Sequence, residues 1–160
     1  FGIPQHRNRV YIAGFSNAIS SHQDFSFSFP IPTGNRTGIG QFVETNPIGY
    51  SISKKMESYY FKKDDGCPQI IDSDSDFPVK TLVSTYYKGQ RLTGTFVADG
   101  ETGLRFLSEN ECKAIMGFPH DFKIPVSRTQ MYRQFGNSVV VPVVRAIADE
   151  ITKTLERVSI

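Results

Sequence analysis

The chain has 160 residues, 39% of them hydrophobic, with 18 Lys and Arg against 16 Asp and Glu. That length supports one domain with a core or two small lobes, and a formal net charge of +2 is too small to announce nucleic-acid binding by itself. No run approaches a membrane span and nothing at Phe1 resembles a signal peptide. The two cysteines have no metal-ligand spacing around them, which gives neither a disulfide framework nor a zinc site and fits an intracellular protein.

Arg9 to Phe15 alternates loosely and is rich in β-formers, which predicts a strand. Residues 26–40 carry Pro30, Pro32, Gly34, Gly38 and Gly40 and read as loop. A short helix is expected over 39–44 and another over 53–63, the latter with Met56, Tyr59 and Tyr60 on one face and lysines around them. Residues 64–76 form an acidic loop. Its Asp72, Asp74 and Asp76 lack the glycine and distal glutamate of a calcium loop, so a solvated loop is the reading. The β-branched and aromatic stretch Val79 to Tyr87 predicts a strand. With a second extended piece over 95–98 and a turn at Asp99-Gly100, it suggests an antiparallel unit presenting the basic loop Lys88-Gly89-Gln90-Arg91. Ser108 followed three residues later by Glu111 is a capping box for a helix over 108–116.

Gln134 to Val140 sets a tight polar turn before an amphipathic helix over 141–157, whose Val144, Ile147, Ala148, Ile151 and Leu155 mark a face to be buried. Gly136 allows positive φ or close backbone approach. Asn137 and Ser138 favour a helix start and supply donors and acceptors for a small ligand, and Pro142 suits the first turn. Read alone, this is an ordinary N-capped helix.

Three separated segments, in order, resemble the DNA cytosine-5 methyltransferases. Phe1-Gly2-Ile3-Pro4-Gln5-His6-Arg7-Asn8-Arg9-Val10-Tyr11-Ile12 resembles that family's eighth block, with its Gln-x-Arg-x-Arg core. Arg105 to Cys112, running on to Met116-Gly117-Phe118-Pro119, resembles the ninth, and Gln134 to Val140 resembles the tenth. Neither the Pro-Cys-Gln nucleophile loop, nor a Glu-Asn-Val segment, nor the glycine-rich first block is present. Cys67 lies in Gly-Cys-Pro-Gln, the wrong order, and Cys112 reads as a small buried side chain. The resemblance therefore implies the C-terminal part of such an enzyme.

It further implies an α+β fold: a small strand-rich target-recognition lobe over 16–104, and remnants of a Rossmann-like catalytic domain over 1–15 and 105–160. The chemistry implied is transfer of a methyl group from S-adenosylmethionine to carbon-5 of a cytosine flipped out of double-stranded DNA. Charge that develops on the ring and its exocyclic oxygen would be stabilised by a fixed guanidinium. By resemblance Arg9 takes that role, Arg7 organises the site or meets a phosphate, and Gln5 supports the loop. Asn137 and Ser138 would hold the amino-acid end of S-adenosylmethionine. Lys80, Thr81, Lys88, Gln90 and Arg91 are the expected DNA-contacting residues. The expected partners are DNA and an N-terminal half carrying the nucleophile, with self-association of the isolated piece through uncovered apolar faces. The setting implied is the bacterial cytoplasm, beside restriction-modification. A noncatalytic recognition subunit of a split methyltransferase and a degenerate truncated module remain as other readings.

Overall fold

A computed structural model describes residues 1–32, 34 and 37–158. Thr33, Asn35 and Arg36, within the loop expected over 26–40, lie outside the described residues, as do Ser159 and Ile160 at the end of the 105–160 region. The architecture is α+β. Helices α1 (Asn17–Ser20), α2 (Lys54–Tyr60), α3 (Glu109–Met116), α4 (Arg128–Asn137) and α5 (Val141–Val158) accompany two short strands, β1 (Gln69–Ile71) and β2 (Thr95–Val97), with 3-10 turns at Gly40–Phe42 and Tyr86–Lys88.

The core forms where α3 and α4 meet the middle of the chain. Cys112, Ile115 and Met116 of α3 pack with Met131, Tyr132 and Phe135 of α4, and against Val79, Leu82, Tyr86 and Val97. A satellite cluster of Ile52, Tyr60, Phe96 and Leu104 lies under α2. Tyr86 joins the two: its ring stands edge-on to Tyr132 at 5.0 Å and stacks with Phe96 at 6.0 Å. Its buried hydroxyl donates to Thr95 O at 2.5 Å and accepts from Leu107 N–H at 3.0 Å, so no polar atom is stranded.

The helices over 53–63 and 108–116 form as expected. Ser53 accepts from Met56 N–H at the start of α2, and Ser108 and Glu111 complete the capping box of α3, which ends at Gly117 with φ +72°. The short helical turn expected over 39–44 is the 3-10 turn Gly40–Phe42.

Several expectations are corrected. Residues 16–104, expected to form a strand-rich lobe, are not strand-rich: among the described residues their sheet is the three-residue pair β1–β2. That pair is parallel, with Gln69 opposite Thr95 and Ile71 opposite Val97, and β1 lies within the stretch read as acidic loop. The stretch from Val79 to Tyr87 is no ladder strand. Among the described residues its one bridge is to Gln5; side chains meet the next groups, Lys80 N–H donating to Gln69 Oε1 at 2.9 Å and Leu82 N–H to Gln5 Oε1 at 3.3 Å, and its end turns into a 3-10 helix, with Tyr86 N–H donating to Val83 O at 3.0 Å. Arg9 to Phe15 forms no strand either, because no segment pairs with it among the described residues; Val10 and Ile12 are 88% and 92% exposed.

The polar turn is also redrawn. Gln134 to Asn137 is the last turn of α4, and only residues 138–140 separate α4 from α5. Gly136 is helical, and its value is close approach rather than positive φ: a Cβ there would lie 2.1 Å from Ser84 N. The apolar face of α5 is not buried. Val144 and Leu155 are each 37% exposed, and Thr154, hydrogen-bonded to Ser26 O at 3.0 Å, is the helix's buried residue.

One buried ion pair fixes these parts. Arg105 and Glu111 are both 0% exposed. Arg105 Nη1 and Nη2 donate to the two Glu111 oxygens at 2.9 and 2.8 Å, and Nε donates to Asp99 Oδ2 at 2.9 Å. Burial pulls the Arg105 guanidinium down, but Glu111 and Asp99 more than offset it and hold it above the ordinary arginine value. Glu111→Leu alone should cost about 3–5 kcal/mol in urea unfolding, and the double variant Arg105→Met/Glu111→Leu less than the sum of its singles.

Partial burial pushes the Asp99 carboxyl up, yet hydrogen bonds from Arg105 and from the Asn46 and Gly100 N–H groups hold it below its ordinary value of 3.8. A depressed folded-state value stabilises above the unfolded one and is lost as pH falls through the folded one. The stability lost in Asp99→Asn should therefore be full above pH 3.8 and shrink below it, as read from denaturation midpoints against pH.

Candidate functional site

The segment from Phe1 to Tyr11 runs without a strand of its own; it bridges Val79 through its backbone, and two of its side chains anchor it further. Gln5, 7% exposed, donates through Nε2 to Ile115 O at 3.1 Å at the end of α3 and accepts from Leu82 N–H. Arg7 spreads its guanidinium across three carbonyls from two distant segments. Nη1 donates to Leu82 O at 2.8 Å, and Nη2 to Gly136 O at 2.8 Å and Ser138 O at 2.7 Å. Burial, with the nearby charge of Arg9, pulls the Arg7 guanidinium below the ordinary arginine value. Its Nε is buried and unpartnered among the described residues. Arg7 therefore ties the N-terminal segment, the Val79–Ser84 stretch and the α4–α5 joint into one body.

Arg9, two residues on, is exposed; Nη1 donates only to the neighbouring Asn8 O at 2.6 Å. Gln5, Arg7 and Arg9 line a cleft of about 680 Å³ together with Val140, just before α5, and Val143 and Ile147 of α5. A cleft lined by arginine and by apolar side chains can take a charged group with an apolar neighbour, and Arg9 is the arginine there whose guanidinium is not engaged by distant carbonyls.

Asn137 and Ser138 are brought to the edge of this region without lining the cleft itself. Asn137 is exposed, and Ser138, half-buried, donates to Val139 O at 3.3 Å. Ser138 instead borders a separate cavity of about 160 Å³ with Phe118, Phe122, Ile124, Met131, Gln134 and Phe135. Helix α4 itself is missing from the sequence reading. Its signal was Ser127 with Gln130 three residues on, a capping-box pattern, ahead of Met131, Tyr132 and Phe135; Gln130 N–H does donate to Ser127 Oγ at 3.4 Å.

The residues expected to meet DNA fall in two places. Thr81 donates to His6 O beside Arg7, while Lys80 Nζ donates to Leu92 O at 3.2 Å. Lys88 and Gln90 are exposed on the loop beyond Tyr86, with Lys88 Nζ 5.9 Å from the Tyr87 ring centroid. Arg91 has a different position from that expected of a reading residue. It is a strut: Nε donates to Tyr60 O at 3.0 Å, Nη2 to Lys63 O at 3.0 Å, and Nη1 to Asp65 Oδ2 at 2.8 Å, leaving 9% of the side chain exposed.

Cys112 is fully buried, and burial pushes its thiol well above the usual cysteine range, so it is unsuited to act as a nucleophile. Among the described residues no group of His, Cys, Asp and Glu could hold a metal ion, and no helix is long and apolar enough to cross a membrane.

The two arginines separate experimentally. Arg7→Met strands three carbonyls and should lower the urea midpoint by the equivalent of about 2–4 kcal/mol, whereas Arg9→Met should stay within about 0.5 kcal/mol of the parent.

Residues 1–153 match the sequence profile of the C-5 cytosine-specific DNA methylases. The chain is 59% identical over 160 residues to Type II methyltransferase M.MspI from Moraxella sp, covering 99% of this chain and 37% of that protein. It is 58% identical to Type II methyltransferase M.BsuFI from Bacillus subtilis, covering 97% and 38%. It thus spans under two-fifths of the length of these relatives. In fold it is similar to the Entamoeba histolytica methyltransferase EhMeth, with a TM-score of 0.65 at 19% identity over 96% of this chain and 50% of that one. The profile match across nearly the whole chain, reinforced by these relatives, identifies the chain as a member of the C-5 cytosine-specific DNA methylase family.

Proposed function

We propose that the chain is the C-terminal part of a DNA (cytosine-5)-methyltransferase, supplying target recognition and one wall each of the active site and the cofactor site. The observation that carries this reading is the contrast between Arg7 and Arg9. Arg7 is spent on three carbonyls, which fixes the backbone from which Arg9 projects at the cleft. A guanidinium held on such a segment is preorganised to meet charge developing on the cytosine ring, at little reorganisation cost. Gln5 anchors the segment's other end to α3.

S-adenosylmethionine would supply the methyl group when bound. At the α4–α5 joint Asn137 is exposed and offers an amide to the amino-acid end of such a molecule; the small cavity that Ser138 borders is apolar and would not take that charged end. That cavity, at about 160 Å³, is too small for a whole nucleoside, so the rest of the cofactor site belongs to the N-terminal half, which also carries the Pro-Cys-Gln nucleophile. The unburied apolar face of α5 is the surface that would pack on that half's Rossmann-like sheet; left uncovered, it favours self-association.

In this reading residues 1–15 and 105–160 belong to the catalytic domain and 16–104 to target recognition. The two parts share one core, because Val79, Leu82 and Tyr86 pack with α3 and α4. Thr81, held against His6, lies at that junction, near where the flipped base would leave the duplex; Lys80, Lys88 and Gln90 would face DNA. The setting proposed is the bacterial cytoplasm, as the modification enzyme of a restriction-modification pair.

Co-expression of the chain with the N-terminal half should yield transfer of labelled methyl groups to cytosine in duplex DNA. In that enzyme Arg9→Ala should lower kcat by about 100-fold or more while leaving DNA affinity within a few-fold. Absence of methyl transfer by the reconstituted parent would refute the function, and a parental rate in Arg9→Ala would refute the role of Arg9.

A further inference from the structure

Helix α2 and its flanking turn carry Lys54, Lys55, Lys62 and Lys63, and the neighbouring loop adds Lys88. Among the described residues none of these five lysines forms an ion pair. The acidic groups on the same stretch are Glu57, Asp64 and Asp65, and Asp65 is taken by Arg91. Lys55, Tyr59 and Lys62 stand at i, i+4 and i+7, so they share one side of the helix and its turn. Together with Met56, Ser58, Lys88 and Gly89 they border a groove of about 600 Å³.

The groove is a built feature. Gly89, at φ +62°, sits so close to α2 that a Cβ there would meet Met56 Cε at 2.3 Å and Tyr60 Oη at 2.5 Å. The Tyr60 hydroxyl donates to Gly89 O, and Arg91 reaches back to the Tyr60 and Lys63 carbonyls. The helix and the Lys88–Gln90 loop are thereby held as two walls of one surface. Tyr59 remains 57% exposed between lysines, with Lys62 Nζ 5.9 Å from its ring centroid. Lysines in the first turn oppose the helix dipole, so folding does not account for Lys54 and Lys55.

We propose that this groove seats the phosphate backbone of double-stranded DNA outside the bases being read, with Lys55 and Lys62 as phosphate contacts continuing the surface of Lys88. The inference rests on the function proposed above, and charge complementarity selects the occupant: the ammonium groups of Lys55, Lys62 and Lys88, without carboxylate partners among the described residues, suit a line of phosphates. Arg91 serves this surface by positioning α2 against the loop rather than by touching DNA.

The test is duplex-DNA binding by the full-length enzyme across a series of salt concentrations. Each lost phosphate contact lowers the slope of log affinity against log salt by about 0.9. Lys55→Ala/Lys62→Ala should therefore lower that slope by about 1.8 and weaken target and unrelated duplexes alike, with kcat at saturating DNA unchanged. Lys123→Ala/Lys153→Ala, which removes equal charge elsewhere, should keep the parental slope. A parental slope in the Lys55/Lys62 variant overturns the proposal. So does an equal fall in both double variants, which would mark bulk charge, or a loss confined to the target duplex, which would mark base reading. A parental enzyme that fails to bind and methylate DNA refutes the function itself, an outcome distinct from an unchanged slope in an active enzyme.

Discussion

The arrangement of the middle of this chain depends on a carboxylate and a guanidinium that have both left water entirely. Withdrawing two such ions costs several kcal/mol each and is tolerable only when their remaining hydrogen-bonding capacity is met. Here it is met from four directions. Arg105 also donates to the carbonyls of Phe106 and Glu44, and Glu111 also accepts from the N–H groups of Ser108 and Glu44. Asp99 extends the network to Asn46 N–H, and the Glu44 side chain accepts from Ser108 and Asn110. The start of α3, the end of β2 and the stretch from Glu44 to Asn46 are thereby held in one register. None of these connections requires a regular sheet.

The same economy recurs at the N-terminal segment. In a larger sheet a neighbouring strand would satisfy the backbone of Lys80 and Leu82; here, beyond the single bridge at Val79, Gln69, Gln5 and Arg7 do so with side-chain amides and a guanidinium. Gln69 is doubly used, since its Oε1 also accepts from Thr95 Oγ1 at 2.6 Å across the β1–β2 pair. Side chains that imitate a strand edge give the chain a defined path with few ladder bonds. They also place polar residues of the N-terminal segment in structural roles next to Arg9, whose guanidinium is turned outward.

How much of this the sequence displayed depends on whether the signal was local. Helix α3 was legible because Ser108 and Glu111 write its cap within four residues, and α2 because apolar and basic residues alternate with helical spacing. Gln5, Arg7 and Arg9 were singled out through resemblance, but their different surroundings were not legible, since nothing local says that Arg7 finds Leu82, Gly136 and Ser138. The misread strands share one cause. Arg9–Phe15 and Val79–Tyr87 have β-forming residues, yet a strand exists only when another segment supplies its partner groups. The surroundings of Arg91 were hidden for a related reason: a charged residue on a glycine-containing loop looks unengaged until the fold brings Asp65 and two carbonyls to it.

Gly136 carries a consequence for how such a chain can change. Its backbone lies against Val83 and Ser84 so tightly that the two segments cannot slide past each other or accept a side chain between them. The stretch from Val79 to Ser84 is therefore committed to the helical joint, while the turn beyond Tyr86 is committed to α2 by a second close approach, that of Gly89 to Met56 and Tyr60. Of the described glycines it is Gly136 whose added Cβ would meet its neighbour most closely, so any larger residue there would have to drive α4 away from the stretch that Arg7 also ties to it.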